Sequence, residues 1–279
     1  MSVKIIVDST ADLSVNIKEK VITVPLTINF GDKEFIDGVT IDHKQFYEKL
    51  IESDILPTTS QATPDSFDQK LKPISDNGDS AVVITISSKL SGTYQSAMIA
   101  ADAYEDVYVV DSKSVAIGTG ILAEYAVRLA DAGMTASDIA SELKTVREDI
   151  RVVAMLDTLE YLKKGGRISK TVAFAGGILS IKPVISLQDG EINILGKARG
   201  SKQANNLLVT EIETAGGVNF NRPLLLGYTG LSDVLLQKYI QDSAHLWEGN
   251  IEALDTTIVG SAVGTHAGPG AVAVAFFKK

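Results

Sequence analysis

The sequence predicts an α/β protein, on three observations. "AVVITI" (Ala81–Ile86) and "VYVV" (Val107–Val110) are unbroken, β-branched runs, the pattern of parallel strands covered on both faces. Apolar runs of strand length alternate with helical patterns along the whole chain. The 279 residues are 45% hydrophobic and 22% charged, enough to bury a sizeable core.

Each element follows from local pattern. "VKIIVD" (Val3–Asp8) reads as a buried strand, after which Leu13 and Ile17 fall on one face of a short helix. "VITVPLTINF" is extended, with Pro25 marking an edge or irregularity. "DHKQFYEKLIES" opens on an acidic cap and places Phe46, Leu50 and Ile51 at helical spacing. After "AVVITI", the stretch "GTYQSAMIAADAY" is helical. "ILAEYAVRLADAG" is a helix stopped by Gly133, and "ASDIASELKTVRED" is another. "VVAML" restarts the pattern as a strand, and "TLEYLKKGG" is a helix ending on two glycines. "PVISLQDGEINIL" is two strands around an Asp189-Gly190 turn. "SKQANNLLVTEIETAG" and "LSDVLLQKYIQDSA" are helices on either side of the strand "RPLLLGY". "IEALDTTIVG" and the alanine-rich "AVAVAFF" close the chain as strands. Length divides this into two α/β domains, 1–157 and 158–279.

Composition narrows the function. With 26 basic and 35 acidic residues the net charge is −9, which argues against nucleic acid or an anionic membrane as the main partner. The absence of cysteine removes disulfides, thiolate nucleophiles and cysteine-ligated zinc. The apolar run in "MSVKIIVDSTADL" is too short for a signal peptide, and no stretch reaches the roughly 18 apolar residues of a membrane span. The expectation is a soluble, cytoplasmic, monomeric protein with at most transient membrane contact.

Four stretches rich in hydroxyls or glycine follow apolar segments: "DSTADL" (Asp8–Leu13), "PTTSQATP" (Pro57–Pro64), "SSKLSGTYQS" (Ser87–Ser96) and "DSKSVAIG" (Asp111–Gly118). Ligands of open α/β sheets bind beyond the carboxyl ends of the strands. Helix N-termini there offer unpaired N–H groups, and hydroxyls add donors without fixed charge, a set that suits a carboxylate or phosphate. The same residues also serve as plain helix caps. Gly92, between Ser91 and Thr93, permits close backbone approach, or is only a turn residue. His266, in the glycine loop "GTHAGPG" (Gly264–Gly270), can hold an anion, pass a proton or sit in a structural hydrogen bond. His43 and His245 read as surface or capping residues. Arg167 in "KKGGRIS" and Arg199 in "GKARGSK" lie in basic turns that suit phosphate, an acidic partner or plain solvent.

Several signatures are missing. There is no P-loop and no G-x-S-x-G elbow. "GTGILA" fits a dinucleotide fingerprint only in letters, because its first glycine lies eight residues beyond Val110. No H-x-x-x-H pattern indicates a metal, and no cofactor is implied.

These stretches resemble the DegV family of bacterial fatty-acid-binding proteins. "DSTADL", "VPLTINFGDKEFIDG", "PTTSQATP", "SSKLSGTYQSA", "VDSKSVAIG", "YLKKGGRIS", "ILSIKPVI" and "GTHAGPGAV" follow in the family order over nearly the whole chain. The resemblance implies a two-domain α/β fold with a lipid-binding tunnel. It implies a non-enzymatic carrier of a long-chain fatty acid whose carboxylate meets Thr59, Ser60, Ser91, Gly92, Thr93 and His266. It also implies presentation to a separate ATP-dependent fatty acid kinase that makes acyl phosphate for phospholipid synthesis. Arg167, Arg199 and His266 would then serve kinase docking or phosphoryl transfer. "GKARGSKQA" departs from the family in being less basic after "RG". Two alternatives stay open: a phosphotransferase or hydrolase of a small phosphorylated molecule with His266 as acid/base, and a lipid-sensing regulatory module.

Overall fold

The computed structural model describes residues 2–168, 181–247 and 249–279. Ser169 of "YLKKGGRIS" and residues 178–180 of "ILSIKPVI" lie outside them. The chain begins with β1 (Val3–Asp8), β2 (Val21–Val24), β3 (Thr27–Phe30) and β4 (Lys33–Ile36). Helix α1 (His43–Glu52) starts at Asp42, which forms a reciprocal capping box with Gln45. Then come β5 (Thr58–Ser60), α2 (Pro64–Asp76), β6 (Ser80–Thr85), α3 (Thr93–Ala101), β7 (Val107–Asp111), α4 (Ile117–Asp131) and α5 (Ala136–Val146). The second half comprises β8 (Ile150–Met155), α6 (Glu160–Lys164), β9 (Ile181–Gln188), β10 (Glu191–Arg199) and α7 (Gly200–Thr214). It ends with β11 (Leu224–Tyr228), α8 (Val234–Asp242), β12 (Thr256–Ile258), α9 (Ser261–Ala267) and β13 (Val272–Phe277).

The first sheet, in order β2-β1-β6-β7, is parallel throughout, and every residue of β6 is buried, as its unbroken apolar run requires. A small antiparallel sheet, β4-β3-β5, stands beside it. The second sheet, β10-β9-β8-β13-β11-β12, is mixed; its β9–β10 turn has Asp189 at φ 51° and Gly190 at φ 83°, as a type I′ turn demands. Helix α4 lies between the large sheets: Ile117, Ile121 and Leu122 share one core with Ile5 and Ile84 of the first and with Leu225 and Phe277 of the second. On its far face the second sheet packs Val153, Met155 and Phe276 against Leu208 of α7 and Leu236 of α8. The change of sheet falls between Asp111 of β7 and Ile150 of β8, which pairs with β13 and β9.

Three local expectations are corrected. Residues 13 and 14 are irregular and 15–20 form turns, not a helix: Asp12 and Ser14 tie the segment to Gly260 and to Glu124 of α4. His266 lies in α9 and not in a loop. Gly264 belongs inside that helix because a Cβ there would come within 2.5 Å of the Tyr47 hydroxyl, and the stop is Gly268 at φ 69°. The strand expected over "IEALDTTIVG" is confined to β12, preceded by a 3₁₀ turn at Ile251–Ala253.

Candidate functional site

The hydroxyl-bearing stretches after β1, β6 and β7 emerge together at the carboxyl ends of the parallel sheet, facing the second sheet. Their acids brace the backbone. Buried Asp8 accepts from the Thr10 amide at 3.0 Å, the Thr10 hydroxyl and the Ile86 amide at 2.7 Å. Asp111 accepts from the Ser88 and Lys113 amides. Opposite them, β13 alternates alanine with valine, so Ala271 and Ala273 face inward while Val272 and Val274 pack outward against α7 and α8. The register sets Gly227, Ala273 and Ala154 side by side across β11, β13 and β8, a row of small residues.

That row leaves a cavity between the two sheets. Its space is about 920 Å³, counting the part open to solvent. Leu26, Ile86, Val115 and Ile117 line it from the first half of the chain, and Val152, Ile185 and Ile192 from the second. Ala116 stands in the wall at φ 55°, a conformation that costs a non-glycine residue about 1–3 kcal/mol.

The polar groups gather at one end. Thr59 Oγ1 and His266 Nε2 are 2.9 Å apart. Arg167 donates to the carbonyls of Leu90 at 3.2 Å and Gly165 at 2.6 Å, beside Ser91. Ser91 Oγ lies 2.9 Å from Thr93 Oγ1 and accepts from the Thr93 amide. Burial, then the Arg167 charge, holds the His266 ring down at about 4, so it is neutral at pH 7. Its Nδ1 has no hydrogen-bond partner among the described residues and lies against Gly165, where a Cβ would sit 2.1 Å away. Elsewhere in the wall, the Thr10 hydroxyl donates to Asp8 and the Thr229 hydroxyl accepts from the Ala271 amide.

The structure thus brings Thr59, Ser91, Arg167 and His266 to one end of one cavity. Thr93 is buried behind Ser91. Gly92 serves a side chain: a Cβ there would lie 2.1 Å from Gln61, which donates to Ser96. Ser60 is exposed, takes a bond from Asn29 and is not in the cavity wall, because alternation along β5 turns it away from Thr59. Arg199 is exposed at the start of α7 and also outside the wall.

Residues 2–279 match the family model described as "Uncharacterised protein, DegV family". The chain belongs to the DegV family. A DegV domain-containing protein of Clostridium perfringens is 34% identical over 281 residues, covering 99% of each chain. One of Caldanaerobacter subterraneus subsp. tengcongensis matches as well, at 34% and 99% of each. Among solved structures, the fatty-acid-binding DegV family protein from Thermus thermophilus superposes with TM-score 0.87 at 29% identity over 100% of both chains. The stearic-acid-binding protein from Eubacterium ventriosum gives 0.86 at 26%, over 100% of this chain and 99% of that one.

Two features of this DegV chain escape sequence reasoning. Asp12 and Asp37, both buried, meet at the start of α9: Asp12 accepts from the Gly260 amide at 2.7 Å, and Asp37 from Ser9 Oγ at 2.8 Å. Burial raises both carboxyls. His43 is not a surface residue; it is half-buried beside Gly260, lowered by burial and opposed by Asp37. The acids of "DSTADL" and "FIDG" are the visible signal, but nothing along the chain says that they converge. Among the described residues no group of His, Cys, Asp and Glu fits a metal ion, and no helix is long and apolar enough to cross a membrane.

Proposed function

We propose that this chain binds a long-chain fatty acid, with the tail between the two sheets and the carboxylate at Thr59, Ser91, Arg167 and His266. It presents that carboxylate to a separate ATP-dependent fatty acid kinase. The observation that carries the reading is a largely apolar cavity with Thr59, Ser91, Arg167 and His266 close together in its wall. The solved fatty-acid-binding relatives support it.

Tail burial dominates affinity. About 15 methylenes at about 0.8 kcal/mol each give roughly 12 kcal/mol gross, from which ordering the ligand takes back several. A hydrogen bond to a charged oxygen adds about 1.5–3 kcal/mol, and its main effect is that the carboxylate is not left unpaired. With its proton on Nε2, neutral His266 donates to Thr59, and the Thr59 O–H is then free to donate to the ligand. Arg167 adds the fixed charge, already oriented by two carbonyls. Exposed Arg199 fits an acidic surface on the kinase. The Thr59–His266 pair has the spacing of a nucleophile and base, but no group among the described residues bonds His266 Nδ1 to orient it. That favours a carrier over a hydrolase.

Mass spectrometry of an organic extract of the purified protein tests the reading, with thermal shifts on adding palmitate or oleate. Co-extracted acyl chains and a raised Tm are expected. No acyl chain and no shift with either lipid would sink it.

A further inference from the structure

We propose that the tip of the β9–β10 hairpin is a flap over a side portal through which the acyl chain enters and leaves the cavity. This rests on the fatty-acid reading above and adds the route.

Strand β9 runs to Gln188, yet its pairing with β8 ends at Val153↔Ser186, although β8 itself reaches back to Ile150. The next facing positions, Val152 and Leu187, are unpaired. Strand β10 is an edge strand and stays paired with β9 as far as Glu191↔Gln188. Beyond Ser186 the hairpin is therefore a two-stranded ribbon outside the sheet, an arrangement of marginal stability by itself.

The split opens onto a second space. An outer cleft of about 1,240 Å³, counting its open part, runs along Lys113, Arg147 and Glu148 on one side and Ser186 and Asp189 on the other. Val152 and Leu187 line both this cleft and the lipid cavity. They are the partition, and one of them rides on the flap. Ile192, on the other strand of the ribbon, also lines the cavity.

A latch holds the tip. Buried Ser87 Oγ donates to the Gly190 carbonyl at 2.7 Å, joining the ribbon to the loop that carries Ser91. The contact is tight: a Cβ on Gly190 would lie 2.5 Å from Ser87 Oγ. Releasing the latch lets the ribbon swing Leu187 away from Val152, so that a flexible tail passes sideways while the carboxylate stays at the polar end.

The chain has no cysteine, and a Cβ at residue 190 would stand 3.6 Å from Ser87 Cβ, inside the disulfide range of about 3.5–4.5 Å. The pair Ser87→Cys and Gly190→Cys therefore locks the flap. Strain at residue 190 is common to its oxidised and reduced forms, so those two are compared. Each is loaded with cis-parinaric acid, and transfer to phosphatidylcholine vesicles is followed by fluorescence. The oxidised form should release the probe far more slowly than the reduced one. Ser87→Ala should release it roughly 2- to 10-fold faster than wild type, the range that one hydrogen bond of ordinary net strength gives. Equal release from oxidised and reduced protein overturns the proposal. Hydrogen exchange of residues 187–192 in lipid-free Ser87→Ala decides the flap without lipid: faster exchange there supports it, and exchange unchanged from wild type overturns it. If neither form takes up the probe while exchange accelerates, the fatty-acid reading has failed and the flap stands.

Discussion

Replacing Ala273 by leucine puts three more carbons into the cavity, at the middle of the row formed with Gly227 and Ala154. If they displace three carbons of the tail, about 2.4 kcal/mol of burial is lost at about 0.8 kcal/mol each. At about 1.4 kcal/mol per tenfold, Kd rises about 50-fold. The lipid-free protein should respond the other way, since filling an existing space commonly adds about 0.5–2 kcal/mol of stability. In a closed core the same leucine would overpack and cost about 1–3 kcal/mol. The two signs separate a ligand space from ordinary interior. Delipidated wild type and Ala273→Leu are compared by competition binding with palmitate and by calorimetry. Weaker binding with an equal or higher Tm is expected. A Tm several degrees lower with Kd unchanged refutes the argument, because the wall would then be closed.

Ser91→Ala with Thr93→Val should weaken lipid retention on gel filtration, whereas Arg199→Ala, outside the cavity, should retain lipid and lower acyl-phosphate formation by the kinase; equal retention losses would undo that division of roles. His266 has a folded value of about 4, below its ordinary 6.5, so the fold disfavours the charged ring, and its contribution to stability is lost as pH falls from 6.5 through 4. Asp8, Asp12 and Asp37 are raised and act in the opposite sense. The difference in Tm between wild type and His266→Gln across that window isolates the histidine, and parallel curves would contradict a buried neutral ring. Asp8→Ala should cost about 3 kcal/mol by orphaning the Thr10 and Ile86 amides, a fall of roughly 6–12 °C in Tm. Asp8→Asn, which keeps an acceptor, should cost less; equal losses would point to charge instead.

Much of the fold is written in local pattern. The unbroken runs of β1, β6 and β7 specify a parallel sheet because both faces are buried, and Asp189-Gly190 specifies its hairpin through positive φ. Helix α2 is harder to read, since it carries Pro73 in its interior. Residues 13–20 carry a helical spacing that tertiary bonds from Asp12 and Ser14 override. The stretches that form the polar end stand out by composition, but which of their residues face inward depends on strand phase: Thr59 points in and Ser60 out, a difference that no motif encodes. The alanines of "AVAVAFF" mark the cavity wall, yet a run of small residues looks the same whether it borders a space or a close-packed helix. Ala275 faces α4 while Ala273 faces the cavity. Convergence of Asp12 and Asp37 on α9 joins residues more than two hundred positions apart, beyond any local signal.

Because the cavity takes one wall from each large sheet, whatever fills it acts as a removable piece of interior. Folding then depends on supply: a free ligand at one hundred times its Kd adds about 2.7 kcal/mol, a large share of an ordinary domain's margin. On the fatty-acid reading proposed above, a cell starved of acyl chains would hold a softer, more protease-sensitive pool of this chain, and its abundance would report the shortage. Limited proteolysis with and without palmitate reads that difference directly.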